Sequence, residues 1–281
     1  MNEHKLCRKD LTEFAQHLQR EERSPGTIAK YERDVNAFAL WLGDRTVDRQ
    51  AVCAWKEELL SGGRAPATVN SMLAAVNSLF RFLGWEGCRA RYLKIQRRMF
   101  RDTSRELTHE EYEKLLATAR DQGREQLALL METMCATGIR VGEVPYITLE
   151  AVRAGRADIS LKGKIRTILL PGKLCRKLIK FARKNKIASG EIFLTRGGKS
   201  LSRKQIWAEM KGLCKRAKVE PSKVFPHNLR HLFARTFYKV SRDVAKLADV
   251  LGHSSLSTTR IYLISTGAEH ARQLEKMGLV E

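Results

Sequence analysis

The apolar residues of the first ninety positions recur at steps of three and four, and this spacing constrains the fold more than any other feature of the sequence. Residues at such steps lie on one face of an α-helix, where they can be buried together. One stripe runs from Ile28 to Leu42, and another runs from Val69 to Leu83. Shorter stripes contain Leu11, Phe14 and Leu18, and then Val52, Trp55 and Leu59. The pattern predicts a compact helical unit of four helices within a first domain over residues 1–95.

A basic linker and a helix start signal mark the border of a second domain. Residues 96–103 contain Arg97 and Arg98 and few large apolar side chains, so we expect a connection that follows a phosphate backbone. A solvated surface strap is the alternative. Thr108 and Glu111 then fit a capping box, in which each side chain accepts a hydrogen bond from the other residue's backbone. The second domain is therefore predicted over residues 104–281.

Extended segments interrupt the helical pattern of this second domain. Residues 157–161 and 165–170 are rich in β-formers and flank a tight turn at residues 162–164, which predicts a hairpin. Residues 192–194, Ile-Phe-Leu, are a candidate third strand. The remainder reads as helical. The predicted fold class is mainly α with a small antiparallel sheet: a helical N-terminal domain followed by a mixed α/β domain.

The net charge of +21, from 52 Lys+Arg against 31 Asp+Glu, predicts an anionic partner. Because 43% of the residues are hydrophobic, this charge belongs to a folded protein and not to a solvated tail. Nucleic acid is the commonest polyanionic partner of such a chain, and acidic membrane surfaces come second. No segment approaches the roughly 18 apolar residues that span a bilayer, so the sequence favours nucleic acid and no membrane.

The basic residues are concentrated in particular segments. No acidic residue occurs from Lys162 to Gly190, and the cations there alternate with apolar residues such as Leu174 and Leu178. On a helix this interleaving gives one face to the core and the other to phosphates, with an exposed cationic face in solvent as the alternative. The residues predicted to bind the nucleic-acid backbone are Arg97, Arg98, Lys164, Arg166, Lys173, Lys199 and Arg203.

Four short segments carry side chains suited to phosphate chemistry. They are Thr137-Gly138-Ile139-Arg140 with Glu143, the turn at residues 162–164, Pro226-His227-Asn228-Leu229-Arg230, and Leu251-Gly252-His253 followed by Tyr262. Each one alone fits a structural role, such as a surface arginine at a helix start, a capping histidine or a core tyrosine. Together they supply two arginines, a lysine, two histidines and a tyrosine.

In this order and approximate spacing, the four segments resemble the motifs of the tyrosine recombinase family, the phage-integrase and Xer-like site-specific recombinases. The resemblance extends to the helical N-terminal unit and so covers nearly the whole chain. It implies a two-domain clamp around double-stranded DNA, a homo-tetramer on paired DNA sites, and a C-terminal segment that docks on a neighbouring copy or on its own domain. The catalytic residues that it implies are Arg140, Lys162, His227, Arg230, His253 and the nucleophile Tyr262, with Glu143 as a supporting acid.

The chemistry of these residue types agrees with that implication. A tyrosine that attacks a phosphodiester keeps the bond energy in a phosphotyrosine ester, so rejoining the strand requires no ATP. Arg140 and Arg230 can each offer a planar fork to the non-bridging oxygens, so neither a metal nor another cofactor is expected. His227 would serve as acid/base partner or phosphate ligand, and His253 as a further hydrogen-bond donor.

Two details of the pattern bear on the roles of single residues. Lys162 ends the first predicted strand and is the favoured proton donor to the leaving 5′-oxygen, with Lys164 as the alternative. The turn is one or two residues shorter than the family's hairpin commonly is. His227 and His231 have the spacing of a metal-binding pair, but Asn228 stands where the zinc-protease pattern requires Glu, so a metal site is not expected.

Two other functions fit parts of the pattern. A type IB topoisomerase uses a similar set of residues but only relaxes supercoils, and a sequence-specific DNA-binding regulator could retain an inactive site. The small helical N-terminal unit and the Leu251-Gly252-His253 segment favour a recombinase. The sequence does not indicate the target DNA, nor whether the role is integration, transposition, dimer resolution or inversion.

The cysteines and the N-terminus bear on the compartment. The six cysteines lie far apart with no Cys-x-x-Cys pair, which is typical of reduced thiols and not of disulfides or a zinc site. The polar start of the chain has no signal-peptide pattern. We therefore expect a cytoplasmic protein associated with the bacterial nucleoid.

Overall fold

The chain folds into two compact units, Met1–Arg97 and Arg98–Glu281, each with its own buried apolar core. The computed structural model describes residues 4–95, 104–161, 164–253, 255–260, 262 and 275–277. Helices dominate both units, and the second adds two paired strands. The predicted fold class, mainly α with a small antiparallel sheet, is thus confirmed.

All the regular secondary structure described in the first unit is helical. Its helices are α1 (Arg8–Arg20), α2 (Pro25–Leu42), α3 (Arg49–Ser61) and α4 (Pro66–Phe82), followed by a 3₁₀ turn, Glu86–Cys88. The stripes found in the sequence face one another, since Phe14, Phe38, Trp55 and Phe80 are buried in one cluster. The Phe38 ring lies 5.1 Å from the Trp55 ring and 5.9 Å from the Phe80 ring, both edge-on. Such contacts fix how the helices pack.

Two asparagines of α4 hold the chain that leaves this unit. The amide of Asn77 donates to the carbonyl of Ala90 at 3.0 Å and accepts from its N–H at 3.2 Å. Asn70, two helical turns earlier, forms the same pair of bonds with Leu93 at 2.9 and 2.8 Å. Because each asparagine satisfies one backbone donor and one acceptor, the segment lies along α4 without a strand partner.

The first helix of the second unit begins at the capping box predicted from the sequence. The N–H of Thr108 donates to Glu111 at 2.9 Å and the N–H of Glu111 donates to Thr108 at 3.1 Å. The helices that follow are α5 (His109–Asp121), α6 (Glu125–Thr137), α7 (Leu149–Ala154), α8 (Gly172–Lys184), α9 (Arg203–Lys211), α10 (Cys214–Ala217), α11 (Pro226–Ser241), α12 (Val244–Leu251) and α13 (Leu256–Arg260). Short 3₁₀ segments occupy Val141–Tyr146 and Pro221–Lys223.

A hairpin of β1 (Arg156–Leu161) and β2 (Lys164–Leu169) lies between α7 and α8. Its antiparallel register pairs Ile159 with Arg166 and Leu161 with Lys164. The third strand considered at residues 192–194 is wrong, because the sheet has two strands within the described residues and this segment forms only isolated bridges on either side of the buried Ile192 and Phe193. The apolar pattern there reflects burial and not strand pairing.

Three further observations concern the remaining elements. Most of the C-terminal segment predicted to form a docking helix, including Ala271, Leu274, Leu279 and Val280, lies outside the described residues. No helix in the described part of the chain is long and apolar enough to cross a membrane. Within that same part, no three His, Cys, Asp or Glu side chains come together as a metal site would require.

Candidate active site

Arg140 follows directly on the end of α6. Gly138 ends that helix with a φ of +66°, and an added Cβ there would overlap the ring of Phe233, so a side chain is excluded. The Glu143 carboxylate accepts from the Arg140 side chain at 2.9 Å and from its backbone N–H at 2.7 Å. The Glu143 side chain is 3% exposed and that of Arg140 is 43% exposed. One edge of the Arg140 guanidinium is therefore held, and the other faces outward.

Hydrogen bonds keep the Glu143 carboxylate ionised despite its burial. Burial alone raises the pKa of Glu143, but the Arg140 backbone bond and the charge of Arg166 outweigh it, so that the pKa lies below its usual value. A buried carboxylate of this kind orients its partner because moving it would leave a charge unsatisfied.

Arg230 lies in α11 and is the largest of the fully buried side chains, at 1% exposure. Its guanidinium donates to the carbonyl oxygen of Gly138 and, at 2.8 Å, to that of Leu251. These acceptors lie at the ends of α6 and α12, so one side chain joins three helices. Burial, and next the charge of Arg140, lower the pKa of Arg230 to about 10 although Tyr262 opposes the shift, so the group stays protonated at neutral pH.

His253 lies beside Arg230, and its hydrogen bonds define its tautomer. Its Nε2 is 3.0 Å from an Nη of Arg230, and its Nδ1 is 2.9 Å from the Oγ1 of Thr259. Because a guanidinium can only donate, Nε2 must accept, and the proton of the neutral ring resides on Nδ1 and points to Thr259. Burial and then the charges of Arg230 and Arg140 lower the pKa of His253 to about 4. The sequence predicts that His253 donates a hydrogen bond. In the structure its Nε2 accepts from Arg230, and its Nδ1–H donates to Thr259.

Tyr262 packs against two histidines and is only 4% exposed. Its ring centroid lies 4.7 Å from that of His231 and 6.0 Å from that of His253. His227 is edge-on to His231 at 4.5 Å. Burial, followed by the charges of Arg230 and Arg140, lowers the pKa of His227, which favours its neutral form. Three of the four segments, those of Arg140, of His227 with Arg230, and of His253 with Tyr262, thus meet around one phenol and two guanidinium groups.

Arg166 lies inside this cluster and not on the outer surface, where a residue that binds the DNA backbone is expected. Its side chain is 13% exposed, and its guanidinium donates to Glu143 and, at 3.3 Å, to the carbonyl of Val250. The sequence pattern predicts neither the contact of Arg166 with Glu143 nor that of Thr259 with His253. The strand pattern does indicate that Arg166 faces inward, because residues two apart on a strand share a face and Ile168 is buried in the core.

A cavity of about 350 Å³ opens beside these residues. Its lining includes Arg140, His227 and Arg230 together with apolar residues such as Phe225 and the partly exposed Trp207. Arg203, predicted to bind the DNA backbone, also lines the cavity. The cavity is large enough for a phosphate and its sugar, and the cations in its lining favour an anion there.

The other predicted residues are distributed as follows. Lys162, Arg97 and Arg98 lie outside the described residues, and Lys164 begins β2 opposite Leu161. Lys173 and Lys199 are exposed, the first near the start of α8 and the second in a turn closed by a 2.8 Å bond between its carbonyl and the N–H of Thr195.

Comparisons with known proteins agree with this fold. Residues 105–269 match the model described as "Phage integrase family", and residues 11–87 match "Phage integrase, N-terminal SAM-like domain". Tyrosine recombinase XerA of Pyrococcus furiosus is 30% identical over 100% of this chain and 98% of its own length. Tyrosine recombinase XerC of Roseiflexus castenholzii is 30% identical over 89% of this chain and 86% of its own.

Solved structures show the same fold at lower identity. A lambda integrase tetramer bound to a Holliday junction is similar with a TM-score of 0.74 at 20% identity, covering 92% of this chain and 78% of that one. The Tn1549 transposon integrase in complex with transposon right-end DNA has a TM-score of 0.73 at 15% identity, covering 96% and 99%. Fold and comparisons together define an enzyme of the tyrosine recombinase class. The chain belongs to the phage integrase family.

Proposed function

We propose that this enzyme cleaves and rejoins DNA strands at specific sites through a covalent 3′-phosphotyrosyl bond at Tyr262, with neither metal nor ATP. The observation that carries the proposal is the convergence of Tyr262 with the buried Arg230 and with His231 and His253. A phenol in an apolar core has no need of a guanidinium neighbour, whereas a phenol that attacks a phosphodiester must meet the phosphate that the guanidinium binds.

In the cleavage step, the phenolic oxygen of Tyr262 bonds to phosphorus while the bond from phosphorus to the 5′-oxygen breaks. The phenolic proton passes to His227, which the lowered pKa keeps neutral and able to accept it. A proton reaches the leaving 5′-oxygen from the hairpin lysine, Lys162 or in its place Lys164. Rejoining reverses these transfers, and because one phosphoester replaces another, no ATP is consumed.

Two arginines stabilise the charge that develops on the non-bridging oxygens. The outward edge of Arg140 is free to bind one oxygen because Glu143 holds only the opposite edge. The guanidinium of Arg230 has five N–H donors, of which three point to Gly138, Leu251 and His253 and a fourth interacts with the Tyr262 side chain, so one donor remains for a phosphate. Donors that are already oriented cost no reorganisation in the transition state, so preorganised groups of this kind supply a large part of the rate.

The remaining parts of the chain would bind the DNA outside the active site. In this proposal residues 1–95 form a DNA-binding domain, residues 96–103 a basic linker along the backbone, and residues 104–281 the catalytic domain, which close around the duplex as a clamp. Exchange of two sites requires four cleavages, so a homo-tetramer on paired sites is the active assembly. The lambda integrase neighbour is a tetramer on a Holliday junction, which supports this assembly for the present chain.

The nucleophile can be tested on genomic DNA, in which the protein itself selects the target site. Sheared DNA from the source genome is incubated with the protein, the reaction is stopped with detergent, and DNA that stays bound to protein is recovered and sequenced. We expect wild type to yield fragments joined to protein through their 3′ ends and sharing one sequence. Tyr262→Phe should still bind these fragments but give no adduct, and a 3′-linked adduct formed by Tyr262→Phe would overturn the proposal.

Plasmids that differ in the number of target sites distinguish recombination from relaxation of supercoils. Plasmids with one copy and with two copies of the recovered sequence are treated with the protein and resolved on gels. A recombinase makes deletion or inversion products from the two-site plasmid. Relaxation of both plasmids without such products would instead identify a type IB topoisomerase, and failure to trap any covalent complex would identify a DNA-binding regulator.

A further inference from the structure

Arg166 is a cation that the mechanism above does not use, and it is enclosed by the residues that the mechanism does use. It belongs to β2, where neighbouring Ile165 and Thr167 are exposed on the outer face of the hairpin. Its own side chain is on the opposite face and only 13% exposed. A strand position that faces inward is normally apolar, so an arginine there requires partners, and its partners indicate what it does.

The first partner is the Glu143 carboxylate. One of its oxygens accepts from the Arg140 side chain, and the other accepts from the Arg140 backbone and from Arg166. If Arg140 were its only cation, the buried carboxylate would neutralise the charge that Arg140 must offer to a phosphate. With Arg166 present, the three groups carry a net charge of +1, and Arg140 is held without being neutralised.

The second set of partners lies at the end of α12. The Nη1 of Arg166 donates to the carbonyl of Val250 at 3.3 Å. Its Cδ lies over Gly252, where an added Cβ would come within 2.5 Å. Gly252 is adjacent to His253, so the Arg166 side chain spans from the hairpin to Glu143 and to the residue that precedes His253. One side chain therefore links three of the four segments of the site.

We propose that Arg166 is a positioning residue for strand cleavage, which shares the charge of Glu143 and thereby keeps Arg140 oriented and cationic towards the scissile phosphate. This inference rests on the proposed function. It replaces the sequence-based expectation that Arg166 binds the DNA backbone, which would require the side chain to face the duplex. The two roles differ in what they predict for binding and for the rate of cleavage.

The test uses the full chain and a nicked duplex containing the sequence recovered in the trapping experiment. Arg166→Met keeps the aliphatic stem and removes the fork, Arg166→Lys keeps the charge, and Arg156→Met alters an exposed arginine of the same hairpin as a matched control. We expect the single-turnover cleavage rate at saturating protein to fall roughly 10–100-fold in Arg166→Met. It should fall less in Arg166→Lys, which can reach only one of its two oxygen partners, and stay unchanged in Arg156→Met.

The affinity of the Arg166 variants for DNA distinguishes a positioning role of Arg166 from binding of the DNA backbone. The dissociation constant and its dependence on salt should match wild type in both Arg166 variants, because the side chain does not contact DNA. Loss of affinity with a shallower salt dependence and an unchanged saturated rate would overturn the proposal in favour of backbone binding. Equal melting temperatures of Arg166→Lys and wild type would show that a lowered rate in that variant does not come from unfolding.

A double-mutant cycle tests the route through Glu143. Glu143→Gln removes the charge that Arg166 shares, so adding Arg166→Met to it should lower the rate no further than the worse single variant does. If the two rate factors instead multiply, Arg166 acts independently of Glu143 and the proposal is wrong. Failure of this inference is distinguishable from failure of the proposed function, because wild type would still form the Tyr262 adduct in the first case and not in the second.

Discussion

Two groups of cations in the second unit come from the same surplus of basic residues and are held in different ways. Arg230 and Arg166 are enclosed, and each donates to backbone carbonyls or to a buried carboxylate. The cations of α8 instead project from the helix surface over a buried apolar face. Where they are paired, as in Lys177 with Glu132 at 2.7 Å and Lys184 with Glu125 at 2.6 Å, the partners are single side chains.

The difference shows that charge and position are separate properties of a basic residue. A buried guanidinium is fixed by acceptors that cannot move away, and its field is little screened because water is excluded. An exposed ammonium moves, is screened by salt and contributes little per ion pair. We therefore expect substitutions in the first group to change the rate of chemistry and the fold, and substitutions in the second to change affinity in a salt-dependent way.

Arg230→Lys should have the largest effect. An ammonium cannot span from the carbonyl of Gly138 to that of Leu251 and also reach a phosphate, although the charge is retained. Loss of one preorganised donor lowers turnover by about 10²–10³, so we expect a decrease of this size in the single-turnover cleavage rate at saturating protein. Arg153→Lys, on the exposed surface of α7, serves as control and should cleave at the wild-type rate. Equal rates for Arg230→Lys and the control would mean that charge alone is required.

Gly252→Ala tests whether the enclosed cations are tightly packed. The new Cβ would lie 2.5 Å from the Cδ of Arg166, and the residue has a φ of +63°. Gly155 also has a positive φ, of +70°, but no atom lies within 4 Å of its Cβ position, so Gly155→Ala measures the backbone strain alone. We expect about 1 kcal/mol of destabilisation in Gly155→Ala and about 1–2 kcal/mol more in Gly252→Ala. Thermal melting of both variants gives the comparison, and equal melting temperatures would show that Arg166 moves aside freely.

The enclosed group explains what the sequence could and could not predict. The helices, the hairpin and the capping box of Thr108 follow from spacing and local chemistry, because they depend on residues a few positions apart. The convergence of Arg140, Arg230 and Tyr262 was expected only through resemblance to a family. The contacts of Arg166 with Glu143 and of His253 with Thr259 join backbone segments whose distance depends on packing, so spacing alone does not reveal them.

His253 provides a test by pH. Its pKa of about 4 lies below the usual value near 6.5, so the unfolded chain takes up the proton first as the pH falls. The contribution of His253 to stability is therefore complete above about pH 6.5 and is lost as the pH falls from there towards 4. His253→Gln retains an acceptor for Arg230 but does not titrate, so its melting temperature should fall less than that of wild type between pH 7 and pH 5. His109→Gln, at an exposed position of α5, should follow wild type.

The smallest effect is expected on the exposed side of the comparison, at α8. Within the described part of the chain, Lys173 and Lys180 have no ion-pair partner, whereas Lys184 is paired with Glu125. If this face lies on phosphates, Lys173→Gln with Lys180→Gln should weaken DNA binding several-fold at low salt, and the slope of log K against log salt should become shallower by about one per contact removed. Lys184→Gln should change the slope less, because Glu125 already offsets its charge. The saturated cleavage rate should stay the same in all of these variants, since none of these ammonium groups lies among the enclosed cations. An unchanged slope in the double variant would mean that α8 faces solvent, and its lysines would then contribute to the net charge without taking part in the grip on DNA.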